Sequence, residues 1–535
     1  MRRLRGRVLR RSSVRFVRPL VAAVLLGSVA FGAGSSPNGV PASVAAARDV
    51  LKIRSGAPGE LDPARQGDVT SAAVGAQLYE GLTAFDPGLV LRPALAESWD
   101  VLDGGRRIVF HLRDGLTFSD GSALTGADVV RSWLRVIDPD RPSPLASLMT
   151  DVEGAMGYLH RASTDPATVG LSASGNDIEV RLKRPAADFP AVVSSPTFAI
   201  VPTAYGPGPD GQGNRGVVSG AYRLDRQLEN ELILTANEHY WAGAPAIKTV
   251  HLITSLAGRS PVQAFEDGDL DYTSIGDYDA SWIRYDRTLG PALRTVPSAG
   301  LTYFGFDASK PPFDDVRVRQ AFAWAVDWKR IVALGGAAGS TPATSMVPPG
   351  IPGRSERYFS PKHDPAAARA ALTAAGFPGG VGFPEVTLVN GSGYDQAVIA
   401  DLERELGIHL KAEEWDDYFK RLETDPPSFW SLGWVADYPG ANDFLGLLLS
   451  KGSTNDYGRW DSPEFDAAIA DAAAATDPAA VRAAYDRAEA VVQRDVPVVP
   501  LEYGEGHALA RDGLLGATDS GLGIMRLAGL DWASK

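Results

Sequence analysis

Short runs of alternating apolar and polar residues mark the strands of this chain. Arg107-Ile108-Val109-Phe110-His111-Leu112 has period two and stops at the Asp114-Gly115 turn, which predicts a half-buried strand. Asp177 to Leu182 and Glu231 to Thr235 carry the same signal. A second turn at Asp120-Gly121 precedes a helical pattern over Ala127–Val136. Helices dominate the last third. Asp315 caps a helix predicted to run to about Leu334, with Val318, Phe322, Ala325 and Val326 on one face. Asp364-Pro365 starts another, stopped by Gly376. Ser462-Pro463 and Asp477-Pro478 repeat that start signal and predict two alanine-rich helices from about 463 to 494. The Pro/Gly-rich stretches 205–216 and 341–353 read as loops. Strands and helices do not alternate regularly, and no repeat of fixed period is present.

Charge divides the chain unequally. Its 535 residues carry 52 basic and 65 acidic side chains, a net charge of −13. Residues 1–47 hold eight arginines and no acid, so the remainder carries 44 − 65 = −21. An acidic body is a poor match for nucleic acid. The basic leader is followed by an apolar run, Leu20 to Ala33, and by Ala45-Ala46-Ala47 before Arg48. This is the layout of a secretory signal over 1–47, with an uncleaved anchor as the alternative. The run is short for a membrane span, and Arg10-Arg11 lacks the rest of a twin-arginine motif. The body is therefore expected to be extracytoplasmic. With no cysteine, the chain has no disulfide, no thiol nucleophile and no site for a lipid-modified N-terminal cysteine.

Motifs for catalysis are missing. The seven histidines include no HExxH pair, and without a Gly-Lys dipeptide there is no P-loop. Gly211-Gln212-Gly213-Asn214-Arg215-Gly216 matches GxGxxG, but prolines precede it and no helix pattern follows, so it reads as a loop. Acid pairs such as Asp314-Asp315, Glu413-Glu414 and Asp416-Asp417 fit a solvated face. They leave a two-carboxylate glycosidase open without selecting it. No cofactor or metal site is expected.

One segment stands out. Trp415, Tyr418, Phe419, Phe429, Trp430, Trp434, Asp437, Tyr438 and Phe444 crowd into thirty residues. Aromatics around one acid can enclose an amphipathic cation, or form a core cluster beside a surface acid. Around this segment lie Leu61-Asp62-Pro63, Leu78-Tyr79-Glu80-Gly81-Leu82, Leu95-Ala96-Glu97-Ser98-Trp99, Phe110 to Gly115 and Phe118-Ser119-Asp120-Gly121. Thr125 to Val130, Ser219-Gly220-Ala221-Tyr222, Asn237 to Trp241, Val316 to Ala321, Gly433 to Tyr438 and Val498 to Leu501 follow. In this order and spacing the body, from about 50 to 530, resembles the extracellular solute-binding proteins of family 5, the oligopeptide and dipeptide binders of ABC importers.

The resemblance implies an α/β, two-lobe periplasmic-binding-protein-like fold of the large class II (cluster C) type, with a hinge and an extra subdomain. The expected division is 48–83, 198–302 and 506–535 for lobe I, 84–197 for the extra subdomain, and 303–505 for lobe II. It implies a binder and not an enzyme: a monomer that captures peptides in a closing cleft and hands them to a membrane permease and its ATPase. Asp437 would pair with the ligand's α-ammonium. Trp434 and Trp415 would wall the ligand, Gly433, Val435 and Val69 would give backbone contacts, and Tyr303 would open the strand near the hinge. Where some oligopeptide binders place arginines for ligand carboxylates, this chain has Leu422 and Ser431. Their tyrosine-rich patch is replaced by Pro144-Leu145-Ala146-Ser147-Leu148. The ligand's far end is therefore expected to be held differently. The rival readings are a secreted glycosidase-like hydrolase, and the same fold binding a non-peptide solute or serving a sensor. No histidine or acid cluster near Trp415–Asp437 points to nickel, and Asp437 disfavours a neutral sugar.

Overall fold

The computed structural model describes residues 49–203, 216–335, 339–355, 357, 361–389, 393–453 and 455–533. The leader 1–47, the loop at 205–215 and all but the last glycine of the GxGxxG match lie outside the described residues. Three sheets organise the body. The first has seven strands in the order Leu293–Pro297, Glu505–Ala510, Tyr272–Ile275, Val50–Arg54, Thr249–Ile253, Glu231–Ala236 and Tyr222–Gln227. The second has six, ordered Thr341–Pro342, Val498–Tyr503, Gly300–Phe306, Phe429–Val435, Val386–Val389 and Leu410–Glu413. The third is antiparallel, with Ala96–Leu102, Arg107–Leu112, Asp177–Arg181 and Leu171–Ser174 in that order. The strand 107–112 alternates buried and half-buried positions, as its period-two pattern requires.

The first and second sheets are joined twice. The chain passes from 293–297 to 300–306 through Ser298 and Ala299, and returns from 498–503 to 505–510 through Gly504 alone. The Ser298 amide donates to the Gly504 carbonyl at 3.0 Å, so the two crossings lie side by side. A C-terminal loop leans on them, with the Ala299 amide donating to the Gly521 carbonyl at 2.8 Å. The first sheet is braced from beneath by Glu80, which is buried. It takes the Arg526 guanidinium at 2.6 Å and the Tyr240 hydroxyl at 2.7 Å. Gly220 is obligatory here, because an added Cβ would sit 2.6 Å from the Gln77 carbonyl oxygen.

The predicted helix from Asp315 to Leu334 is two helices, Val316–Ala325 and Trp328–Gly335. Val326 between them is extended, at φ −92 and ψ 134. Asp327 starts the second helix: its carboxylate takes the Arg330 amide at 3.1 Å and its carbonyl takes the Ile331 amide at 2.9 Å. A fresh N-cap inside an apolar run splits it. The other helices start where the Asp-Pro and Ser-Pro signals lie, at Pro365, Pro463 and Pro478. Asp62 and Asp120 are turn formers. Asp62 caps a short helical turn through the Ala64 amide at 3.1 Å, and Asp120 takes the Ser122 amide at 2.9 Å.

Trp133 centres the third-sheet subdomain. It is fully buried, meets the rings of Phe110, Phe189 and Phe198 edge-on at 6.0, 6.2 and 5.6 Å, and donates its indole N–H to the Phe198 carbonyl at 3.0 Å. Trp133→Ala is expected to cost about 3–5 kcal/mol. Denaturant unfolding, followed by protection of the 96–181 amides from hydrogen exchange, should show that loss concentrated in this subdomain.

Candidate functional site

The site grows from the end of one strand. Phe429–Val435 is buried over its first four residues and emerges at Gly433 and Val435. Pairing with Gly300–Phe306 sets Gly300 opposite Val435 and Tyr303 opposite Leu432. The chain then leaves the sheet: the Ala436 amide donates to the Ala299 carbonyl at 3.0 Å, and Asp437 follows. The strand end is thus pinned to the crossing between lobes.

Asp437 is partly buried, and desolvation pushes its carboxyl up to about 6. Asp443, six residues on and completely buried, lies beneath it. Its Oδ2 takes the Trp434 indole N–H at 2.8 Å, whereas its Oδ1 takes no hydrogen bond. Burial, and then the charge of Asp437, push the Asp443 carboxyl well above the usual range. Two carboxyls in one dry turn cannot both ionise cheaply without a cation. Next to them Tyr438 reaches the subdomain, where its hydroxyl meets Asp188 at 3.3 Å and the Asn442 amide at 3.1 Å.

A cavity of about 300 Å³ opens at the foot of the cleft, against the two crossings. Val69, Tyr272, Val296, Val435, His507 and Asp519 are among its walls. Val69 begins the helix Val69–Leu78, and both it and Val435 are nearly half exposed. A second cavity of about 200 Å³ adjoins the first, sharing Val69, Tyr272, Ser274, Asp519 and Gly523. Asp519 thus faces both. Its Oδ1 takes the Gly521 and Gly523 amides at 2.8 and 3.2 Å, while burial raises its carboxyl.

The structure therefore brings Val69 and Val435 onto one cavity, with Gly433, Trp434 and Asp437 flanking Val435 on the same segment. Trp415 lines neither cavity; it packs, half-buried, on the same core as Trp434, under the Arg421 guanidinium, which stacks 3.4 Å from its ring centre. Tyr303 points into the second lobe's core, 2% exposed. Leu422 and Ser431 are buried. Sequence reasoning passed over Asp443 and Asp519. Asp443 lay inside the aromatic segment already singled out, but nothing local showed it as buried. Among the described residues no group of three or more His, Asp or Glu side chains is placed to hold a metal ion, and no helix is long and apolar enough to cross a membrane.

Comparison with known proteins follows the same outline. The family model for bacterial extracellular solute-binding proteins, family 5 (middle region), matches residues 90–456. The probable deoxycholate-binding periplasmic protein YgiS of Escherichia coli K12 is 30% identical, over 83% of this chain and 86% of its own length. The periplasmic oligopeptide-binding protein OppA of the same organism is 29% identical over 91% and 93%. Among solved structures, clavulanic acid biosynthesis oligopeptide binding protein 2 superposes with a TM-score of 0.79 at 25% identity, covering 91% of this chain and 95% of that one.

The stacked carboxyls make a testable prediction. A carboxyl raised by folding favours the folded state most below its unfolded pKa, and that advantage is lost as pH rises toward the folded value. Asp443→Asn removes the loss. The variant-minus-parent difference in melting temperature should therefore grow from pH 4 to pH 7 in calorimetric scans; a flat difference would mean that Asp443 ionises normally.

Proposed function

The chain belongs to the bacterial extracellular solute-binding proteins of family 5, and on that premise we propose that it captures peptides between its lobes for delivery to the membrane permease of an ABC importer. One observation carries the reading. A partly buried carboxyl, Asp437, sits two residues past a strand end that lines a cavity built from both sides of the lobe connection. An extended chain rises about 3.3 Å per residue, so a ligand with its ammonium at Asp437 reaches Val435 and then Val69 with its next residues. Backbone pairing at those positions binds a peptide without reading each side chain. In the closed cleft the ammonium supplies the counter-charge that the Asp437–Asp443 pair lacks.

The two crossings at residues 298–299 and 504 serve as the hinge of closure. The permease and ATPase are separate chains. The protein acts outside the cytoplasm as a binder, which accords with a family of solute-binding proteins and with the periplasmic relatives. Without a cysteine it carries no lipid anchor of the usual kind. A secreted hydrolase is disfavoured, since Asp437 and Asp443 lie together in one turn with a tryptophan and not as a spaced pair across a cleft.

A second reading, an apolar acid as ligand, has the apolar wall of the larger cavity and the likeness to a probable deoxycholate-binding protein behind it. The peptide reading is preferred because Asp437 attracts a cation.

Asp437→Asn is expected to weaken binding of a free-amine tripeptide by about 100-fold, or roughly 3 kcal/mol. Titration calorimetry that returned an unchanged Kd would remove Asp437 from the site. For the parent protein, affinity should be level above about pH 7. It should fall as pH drops through about 6, where Asp437 takes up its proton, approaching tenfold per pH unit.

A further inference from the structure

The smaller cavity contains a cation with no stated task. Arg54 ends the strand Val50–Arg54 and lines this cavity. The guanidinium is half-buried, and among the described residues no carboxylate lies within ion-pair distance of it. Its one hydrogen bond is a long one, Nη1 to the Ile253 carbonyl at 3.4 Å. Some buried or half-buried arginines of this chain meet acids, as Arg135 does Asp62 and Arg526 does Glu80. Others, such as Arg319, Arg354 and Arg511, give their donors to backbone carbonyls at 3.2 Å or less; Arg54 has neither. A planar five-donor fork with one long backbone contact and no carboxylate partner, set on a concave wall, is suited to a carboxylate brought by a ligand.

The walls around it agree. Val69 and Thr70, the first two residues of the ten-residue helix Val69–Leu78, line the same cavity. That helix is capped by Asp68, whose carboxylate takes the Ser71 amide at 2.9 Å. Gly56 closes the mouth: an added Cβ there would stand 2.8 Å from the Thr70 methyl, so the loop after Arg54 lies directly on the helix start. Asp519 stands at the junction with the larger cavity. Burial raises its carboxyl, and the Gly521 and Gly523 amides that donate to it oppose the rise.

We propose that Arg54 is the carboxylate clamp of the cleft, holding the acid end of the ligand in the smaller cavity. This rests on the peptide reading for its direction: the ammonium at Asp437, the backbone past Val435 and Val69, and the carboxylate beyond Val69 at Arg54. It answers the replacement of arginine by Leu422 and Ser431, both buried here, by moving the clamp to the opposite lobe. Each lobe then holds one end of the ligand, so a ligand with both charges bridges the closed form. An apolar carboxylic acid shares the clamp but not the ammonium seat.

The test uses the full chain and four probes: Ala-Ala-Ala, its C-terminal amide, its N-acetyl form, and deoxycholate. Binding is read by calorimetry in the parent and in Arg54→Ala, Arg54→Lys, Arg421→Ala and Asp437→Asn, with a melting scan of each. The parent should prefer the free acid to the amide by about 10- to 100-fold. Arg54→Ala should abolish that preference while leaving amide affinity unchanged, and Arg54→Lys should restore part of it. The proposal is overturned if acid and amide bind the parent equally, if Arg54→Ala weakens both alike, if Arg421→Ala removes the preference instead, or if no probe binds. Acetylation separates the two readings. If the N-acetyl form binds as well as the free amine and only Arg54 matters, the clamp stands and the ammonium seat at Asp437 falls. If Asp437→Asn weakens the peptide while acid and amide bind alike, the reverse holds. Deoxycholate binding that needs Arg54 but not Asp437, with the peptides silent, leaves the clamp with an apolar acid as its source.

Discussion

Everything at this site hangs on the hydrogen bond between the Ser298 amide and the Gly504 carbonyl. It ties the two chain crossings between the first and second sheets, among the described residues, into one narrow ribbon. A ribbon two strands wide resists stretching and shear but can twist and bend, so the relative motion left to the lobes is rotation about it. The larger cavity lies against this ribbon, with Val296, Ser298, Glu505 and Gly506 in its wall. A molecule resting there touches the moving part directly. Val69 comes from one side of it and Val435 from the other, so rotation changes the gap between them.

Electrostatics give that rotation a direction. The turn after Val435 carries Asp437 over the buried Asp443, and the junction of the two cavities carries Asp519. All three carboxyls are held toward their neutral forms because water has been taken away, not because cations have been placed beside them. Such groups are short of positive charge in proportion to how well they are enclosed. Closing an empty cleft makes that worse, whereas closing it on a cation relieves it. The acid-rich body, at −21, adds a long-range field of the same sign, though salt screens it beyond about 10 Å.

Local signals in the sequence survived into the structure where the neighbours that matter are near in the chain. Period-two runs at 107–112 and 231–235 became strands on those residues, and Asp-Pro and Ser-Pro starts became helix N-termini. The break at Val326-Asp327 is equally local, since Asp327 has the chemistry of a cap. Asp437, Val435 and Val69 were named through the likeness to a family, not through periodicity. Arg54, Asp443 and Asp519 were passed over because their standing is set by distance in the chain. Asp519 faces Val69 across 450 residues of sequence, and Arg54 stands without an ion pair because, among the described residues, no acid arrives beside it. Burial and the absence of a partner are properties of the whole fold.

The order of the seven-stranded sheet has a further consequence for how the molecule is made. Val50–Arg54 sits in its interior, and Glu505–Ala510 fills the place between Leu293–Pro297 and Tyr272–Ile275. The first lobe is therefore incomplete until residue 510 has left the ribosome, while the second sheet takes all its strands from 300–503. Contacts so far apart in sequence form slowly. A nascent chain of this topology keeps its first lobe open for the whole of its synthesis, and a chain threaded through a membrane in an extended state would be spared the work of unfolding that half.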